Sequence, residues 1–149
     1  MEIFCDGSCL HNPGPGGWAF VCIADDGQIT QYNGHVSETT NNKMELTAAI
    51  KSLEKIKQKK YTDKVCIYCD SQYVIKGIES WIHSWKKNNW QSSTKKPVKN
   101  KDLWQQLDKL NNDLNISWKW VKAHAGNKYN EIADNLAKEA ANKGTKSNV

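Results

Sequence analysis

Four acids in this sequence occupy positions that suit a metal ion. Asp6 follows the apolar run Ile3-Phe4-Cys5 and Asp70 follows Val65 to Cys69, so each closes a strand-like segment. In open sheets with parallel crossovers, ligands gather at the carboxyl ends of the strands. If these two strands are parallel neighbours, Asp6 and Asp70 stand side by side. Adjacent carboxylates repel unless a proton or a cation lies between them, and a hard, oxygen-preferring ion such as magnesium fits that need. Glu45 shares a helical face with Ala48 and Ala49, which turns it inward, and Asp134 lies among Ile132, Ala133, Leu136 and Ala137 near the start of a last helix. Taken singly, each acid also has an ordinary role: Asp70 as a helix cap, Glu45 as an exposed charge, Asp134 as a partner of the helix dipole. Their joint placement carries the reading. His124, in the loop after the fifth strand-like run, is an auxiliary candidate that reads equally well as a surface histidine.

These residues need elements to position them. EIFCD is a buried strand running into a turn at Asn12 to Gly17, and WAFVCIAD and QITQYNG form a hairpin around a tight turn at Asp26-Gly27. The period then changes: Leu46, Ala49, Ile50 and Leu53 predict a helix from Asn41 to about Lys60, capped by Thr40 or Asn41. VCIYC is a strand, Asp70-Ser71 opens a helical segment to about Gly77, Asn100 to Asn112 is helical and ISWKWV is a strand. A last helix covers Asn130 to Lys143, with Gly144 as its stop. The order β-β-β-α-β-α-α-β-α predicts an α/β fold, an antiparallel start joined to parallel crossovers, making a mixed sheet flanked by helices.

The totals narrow the class. A chain of 149 residues with 38% apolar and 25% charged residues fits one soluble domain, expected over 1–143 with a disordered tail at 144–149. No apolar run approaches the ~20 residues of a membrane span, and no export pattern opens the chain, so a cytoplasmic location is expected. Five cysteines, an odd number spread through apolar segments, suit reduced thiols. Cys66 and Cys69 face opposite sides of a strand and read as core thiols rather than half of a zinc site. Asn115-Ile116-Ser117 matches a glycosylation acceptor by chance. Lys86 to Lys101 holds six lysines and no acid, more than the whole net charge of +5, so the excess is local and points to a polyanionic partner.

The strings DGSC at Asp6, TTNNKMEL at Thr39, DSQYV at Asp70, WIHSWKKNNW at Trp81, KKPVKNKDLW at Lys95, WVKAHAG at Trp120 and NEIAD at Asn130 resemble the bacterial-like type 1 ribonuclease H family across nearly the whole chain. The resemblance implies a five-stranded ribonuclease H-like mixed sheet, with strands two and three beside strand one and strands four and five on its other side. It implies that Asp6, Glu45, Asp70 and Asp134 bind two Mg2+ ions, with Mn2+ as a possible substitute, and that His124 assists proton transfer or product departure. The reaction implied is endonucleolytic hydrolysis of the RNA strand of RNA/DNA hybrids, leaving 5′-phosphate and 3′-hydroxyl ends. Asn12, Asn41 and Gln72 match residues that contact RNA, where side-chain amides suit the 2′-hydroxyl as donor and acceptor. Thr40 and Asn100 match a pocket for a DNA phosphate, and Trp81 an aromatic lying against a deoxyribose. Trp85 and Trp104 read as core. Lys86, Lys87, Lys95 and Lys96 belong to a basic protrusion, about 81–101, that grips the hybrid backbone. His11 in the glycine-rich turn and Ala123 before His124 depart from the usual pattern without removing a metal ligand.

A non-catalytic nucleic-acid-binding module of the same fold would keep the lysines and tryptophans but would not need four acids. A DNA-directed nuclease would keep the acids but not Asn12, Asn41 and Gln72. A reverse-transcriptase component is disfavoured by Met1 opening directly onto the first strand. A monomer acting alone on hybrid is the expectation.

Overall fold

The computed structural model describes residues 1–146. The elements are β1 (Glu2–Cys9), β2 (Gly14–Ile23), β3 (Ile29–Thr39), α1 (Asn41–Gln58), β4 (Val65–Cys69), α2 (Gln72–Lys76), a π-helical turn (Gly77–Trp81), α3 (Ile82–Lys87), α4 (Lys101–Asp113), β5 (Ile116–Trp120) and α5 (Lys128–Lys146). They form one five-stranded sheet in the order β3-β2-β1-β4-β5. β1 to β3 are antiparallel, while β1, β4 and β5 are parallel. The expected mixed sheet is therefore the one observed.

α1 packs on one face of β1 and β2, and α5 covers β1, β2 and β3 on the other. Because both faces of β1 are covered, Ile3, Phe4, Cys5 and Asp6 are all buried, and the strand reads as a continuous apolar run. Side chains alternate along it: Ile3 and Cys5 join the core under α1, whereas Phe4 stacks on Tyr68 and meets Tyr129 at the start of α5. Leu46, Leu53, Ile56, Ile67 and Leu107 complete the main core without exposure. Among the described residues no helix is long and apolar enough to cross a membrane. All five cysteines are free, with Cys69 buried and Cys66 half-buried, as residues on opposite faces of β4 should be.

Several boundaries differ from the sequence reading, and glycine explains most of them. The turn expected at Asn12 to Gly17 is shorter, because β2 begins at Gly14. Gly16 and Gly17 are strand residues: a Cβ on Gly17 would run into the α5 backbone at Ala137 and Ala141, so glycine admits the helix rather than bending the chain. The helix expected to end near Gly77 instead continues through the π-helical turn into α3. Gly77 is buried with the ring of Trp104 packed flush on its Cα, which again leaves no room for a Cβ. The hairpin turn is longer than expected. Ala24 N donates to Gln28 O at 2.9 Å, enclosing three residues of which Gly27 has φ +87°. β3 runs on to Thr39; as an edge strand paired only with β2, its exposure alternates with little apolar signal. α5 begins at Lys128, two residues early, because Asn127 Oδ1 accepts from Asn130 N at 3.0 Å. It also runs past the expected stop at Gly144 to Lys146. Of the expected tail, residues 147–149 lie outside the described residues.

Gly7 sets the spacing between β1 and α1, since a Cβ there would strike the main chain of Met44 and Glu45. Gly7→Ala is expected to cost about 1–3 kcal/mol by overpacking. It should appear as a lower urea midpoint at unchanged slope.

Candidate active site

Asp6 is not the last residue of β1, since it still pairs with Ala19 of β2. The parallel ladder between β1 and β4, however, stops at Cys5 opposite Cys69. Asp6 and Asp70 are the next residues of the two chains, so they stand together beyond the last rung. Asp6 lies on the face of Phe4, toward α5.

Carboxylate oxygens of Asp6, Glu45 and Asp70 lie within 4.8 Å of one another, a grouping that could hold a metal ion. Asp134 is outside that grouping but close enough for its charge to act on Asp6, while its Oδ2 pairs with Lys138 Nζ at 3.0 Å. The structure thus gathers all four acids at one sheet edge, three tightly and the fourth from α5.

Burial decides the electrostatics here. Asp6 is 5% exposed, and desolvation, then the neighbouring charges of Asp70 and Asp134, pushes its pKa up to about 10. Glu45 is also raised, chiefly by burial, against the opposing hydrogen bonds from Ser71 and Asn41. A site that resists ionisation this strongly calls for a cation when its acids are charged.

The acids are held by residues whose role the sequence reading did not see. Ser71 Oγ donates to Glu45 Oε2 at 2.6 Å and also accepts from Val74 N at 3.2 Å, so one hydroxyl caps α2 and orients an acid on α1. Asn41 Nδ2 donates to Glu45 Oε1 at 3.3 Å, one helical turn away. Gly7 N donates to Asp6 Oδ1 at 2.9 Å, and Trp120 Nε1 to the main-chain oxygen of Asp70 at 3.1 Å. Asn130 Nδ2 donates to Asp70 Oδ2 at 3.3 Å. Ser71 and Asn130 sit inside the quoted strings DSQYV and NEIAD, so the signal was present without a role attached.

The remaining candidates lie on the glycine-rich turn, the starts of α1 and α2, the π-helical turn, α3 and the segment that follows it, and the β5–α5 loop. Asn12 Oδ1 accepts from Asn41 N at 3.2 Å, joining the glycine-rich turn to the start of α1, and Thr40 caps that helix by accepting from Lys43 N at 3.3 Å. Gln72 is exposed at the start of α2. Asn100, at φ +60° before α4, donates to Tyr73 Oη at 3.2 Å. Tyr73 also accepts from Trp104 Nε1 and meets Trp81 edge-on. Trp81 is 38% exposed, whereas Trp104 is fully buried and Trp85 half-buried between them. His124 is exposed on the β5–α5 loop at φ +55°, two residues before Gly126 at φ +85°. Lys86, Lys87, Lys95 and Lys96 are all exposed, but Lys86 Nζ also pairs with Asp108 Oδ1 at 2.8 Å and is partly spent on α4.

Comparison with known proteins agrees with this geometry. The RNase H family model matches residues 1–142. The chain is 49% identical to the ribonuclease H of Treponema denticola, over 96% of this chain and 98% of that relative. It is 50% identical to the ribonuclease HI of Vibrio parahaemolyticus, over 95% of this chain and 89% of that one. Among solved structures, LC9-RNase H1, described as a type 1 RNase H with the type 2 active-site motif, superposes with a TM-score of 0.81 at 30% identity, covering 96% of this chain and 72% of its own. RNase H1 of Halobacterium salinarum gives 0.74 at 25% identity, covering 95% and 97%. With the family model spanning nearly every residue and the acids gathered where the β1–β4 ladder ends, the chain belongs to the ribonuclease H family.

Proposed function

We propose that this protein is an endonuclease that hydrolyses the RNA strand of RNA/DNA hybrids with two divalent ions, Mg2+ by preference and Mn2+ as a substitute. The observation that carries it is the convergence of Asp6, Glu45 and Asp70 within 4.8 Å, with Asp134 at their side. An all-carboxylate donor set built around the buried Asp6 fits a hard cation. Bound there, divalent ions would activate a water for in-line attack and stabilise the departing 3′ oxygen. The chain's own part is to hold the acids in place through Ser71, Asn41 and Gly7, and to present the hybrid so that one phosphate meets them. Asn12, Asn41 and Gln72 are offered to the RNA strand. Thr40 and Asn100 are offered to a DNA phosphate and Trp81 to a deoxyribose. His124, on its exposed loop, is assigned to proton transfer or product departure. Residues 1–143 act as one catalytic domain with the protrusion at about 81–101, and five free thiols favour a reducing cytoplasm.

Labelled RNA/DNA hybrid, duplex RNA and duplex DNA, each with Mg2+ and with chelator, test the activity. Only hybrid RNA should be cut, leaving 5′-phosphate ends, and Asp6→Asn or Asp70→Asn should abolish cutting. Binding without cleavage in either metal would replace the enzyme by a binding module.

The handle follows from charge. Replacing Lys87, Lys95 and Lys96 with glutamine should raise KM and reduce the log-log salt slope by roughly 0.7–0.9 per lost phosphate contact. Lys86→Gln should in addition lower the thermal midpoint, because it breaks the pair with Asp108.

Burial keeps the proton on Asp6 in the folded protein, whereas the unfolded chain releases it above the ordinary value of 3.8. Raising the pH between those limits therefore favours unfolding of the metal-free protein. Its thermal midpoint should fall from about pH 5 to about pH 9, and Asp6→Asn should flatten the profile and raise the midpoint by about 5 °C, equivalent to roughly 1–2 kcal/mol. Mg2+, which binds the ionised acids, should stabilise more at the higher pH. A flat profile in the parent protein contradicts this.

A further inference from the structure

The Asn130 side chain is committed to Asp70. Its Nδ2 donates to Asp70 Oδ2 at 3.3 Å, linking α5 to the end of β4, and the residue is 2% exposed. Asp70 has no other side-chain hydrogen bond among the described residues, whereas Glu45 has two, from Ser71 and Asn41. The backbone of Asn130 is fixed by Asn127, whose Oδ1 accepts from Asn130 N. Asn130 Oδ1, by contrast, is a buried acceptor without a partner. The orientation of the amide follows from chemistry, because an ionised carboxylate only accepts and must be met by the NH2 group. A carboxamide buried with its oxygen unpaired costs free energy that an apolar side chain of similar size would avoid. Packing therefore does not explain an asparagine here, and a donor aimed at a carboxylate does.

We propose that Asn130 is a positioning residue for metal binding, holding the Asp70 carboxylate in the orientation that the divalent-ion site requires. This rests on the metal-ion reading given above. Ligand-orienting hydrogen bonds of this kind typically change metal affinity by about tenfold to a hundredfold when removed.

Calorimetric titration of the full chain with Mn2+ tests it. Asn130→Ala should bind Mn2+ about tenfold more weakly or worse. It should lower kcat on hybrid with KM within about twofold, and leave the metal-free thermal midpoint within a few degrees. Asn130→Ser, which keeps a shorter donor, should fall between alanine and the parent, and it carries the test if the alanine variant does not fold. Ala140→Gly loosens the same helix away from the acids and should leave Mn2+ affinity unchanged. Parental Mn2+ affinity in Asn130→Ala overturns the proposal, as does an equal loss in Ala140→Gly, since helix packing would then account for the effect. A parent protein that binds no Mn2+ overturns the metal-ion reading and this proposal together.

Discussion

The repulsion between carboxylates gathered around the buried Asp6 governs this molecule. Asp6 and Asp70 extend from the last rung of a parallel ladder, so backbone hydrogen bonding, not side-chain preference, sets their separation. Glu45 is pressed against them because Gly7 lets α1 approach β1 without an intervening Cβ. Left alone, such a cluster would splay or keep its protons. The fold resists splaying by covering both faces of β1, and it orients Glu45 and Asp70 with neutral donors, the hydroxyl of Ser71 and the amides of Asn41 and Asn130. Neutral donors fix geometry while leaving the net negative charge for a cation to balance.

Much of this was legible in the sequence, for a physical reason. Strands covered on both faces read as unbroken apolar runs, and the residue just past such a run stands at the sheet's carboxyl edge whatever lies between the runs. Asp6 and Asp70 could therefore be set side by side on one condition, that the two strands are parallel neighbours, and the structure meets it. The inward face of Glu45 followed from Ala48 and Ala49. What was illegible depended on contacts distant in sequence. Gly17 and Gly77 looked like breaks because glycine near a boundary commonly is one. Nothing local says that Ala137 or Trp104 will pack there. Ser71 and Asn130 lay inside recognised strings, yet their service to Glu45 and Asp70 exists only once α1, β4 and α5 have met. The pairing of Lys86 with Asp108 escaped in the same way, since a run of lysines carries no mark of which one is already matched.

The aromatic residues show how scaffold and contact surface grade into each other. Trp104, Trp85 and Trp81 form a chain of tilted and edge-on rings running from the fully buried to the exposed. Tyr73 ties this chain to Asn100 through its hydroxyl. The exposed end is thereby held by the buried one, and an outward-facing indole becomes a rigid surface rather than a mobile side chain.

Alternation along β1 has a consequence for how such a chain can change over generations. Asp6 faces α5 while its neighbours Cys5 and Gly7 face α1, so one residue gained or lost within the strand would exchange those faces. The acid would then be driven under α1, and a residue with a Cβ could land where only glycine fits. The loop at Asp25 to Gly27 has no such restriction, because the strands it joins are in register on their own account. Length variation among descendants of this gene should therefore collect at the far end of the hairpin, with the strand ahead of Asp6 inherited residue for residue.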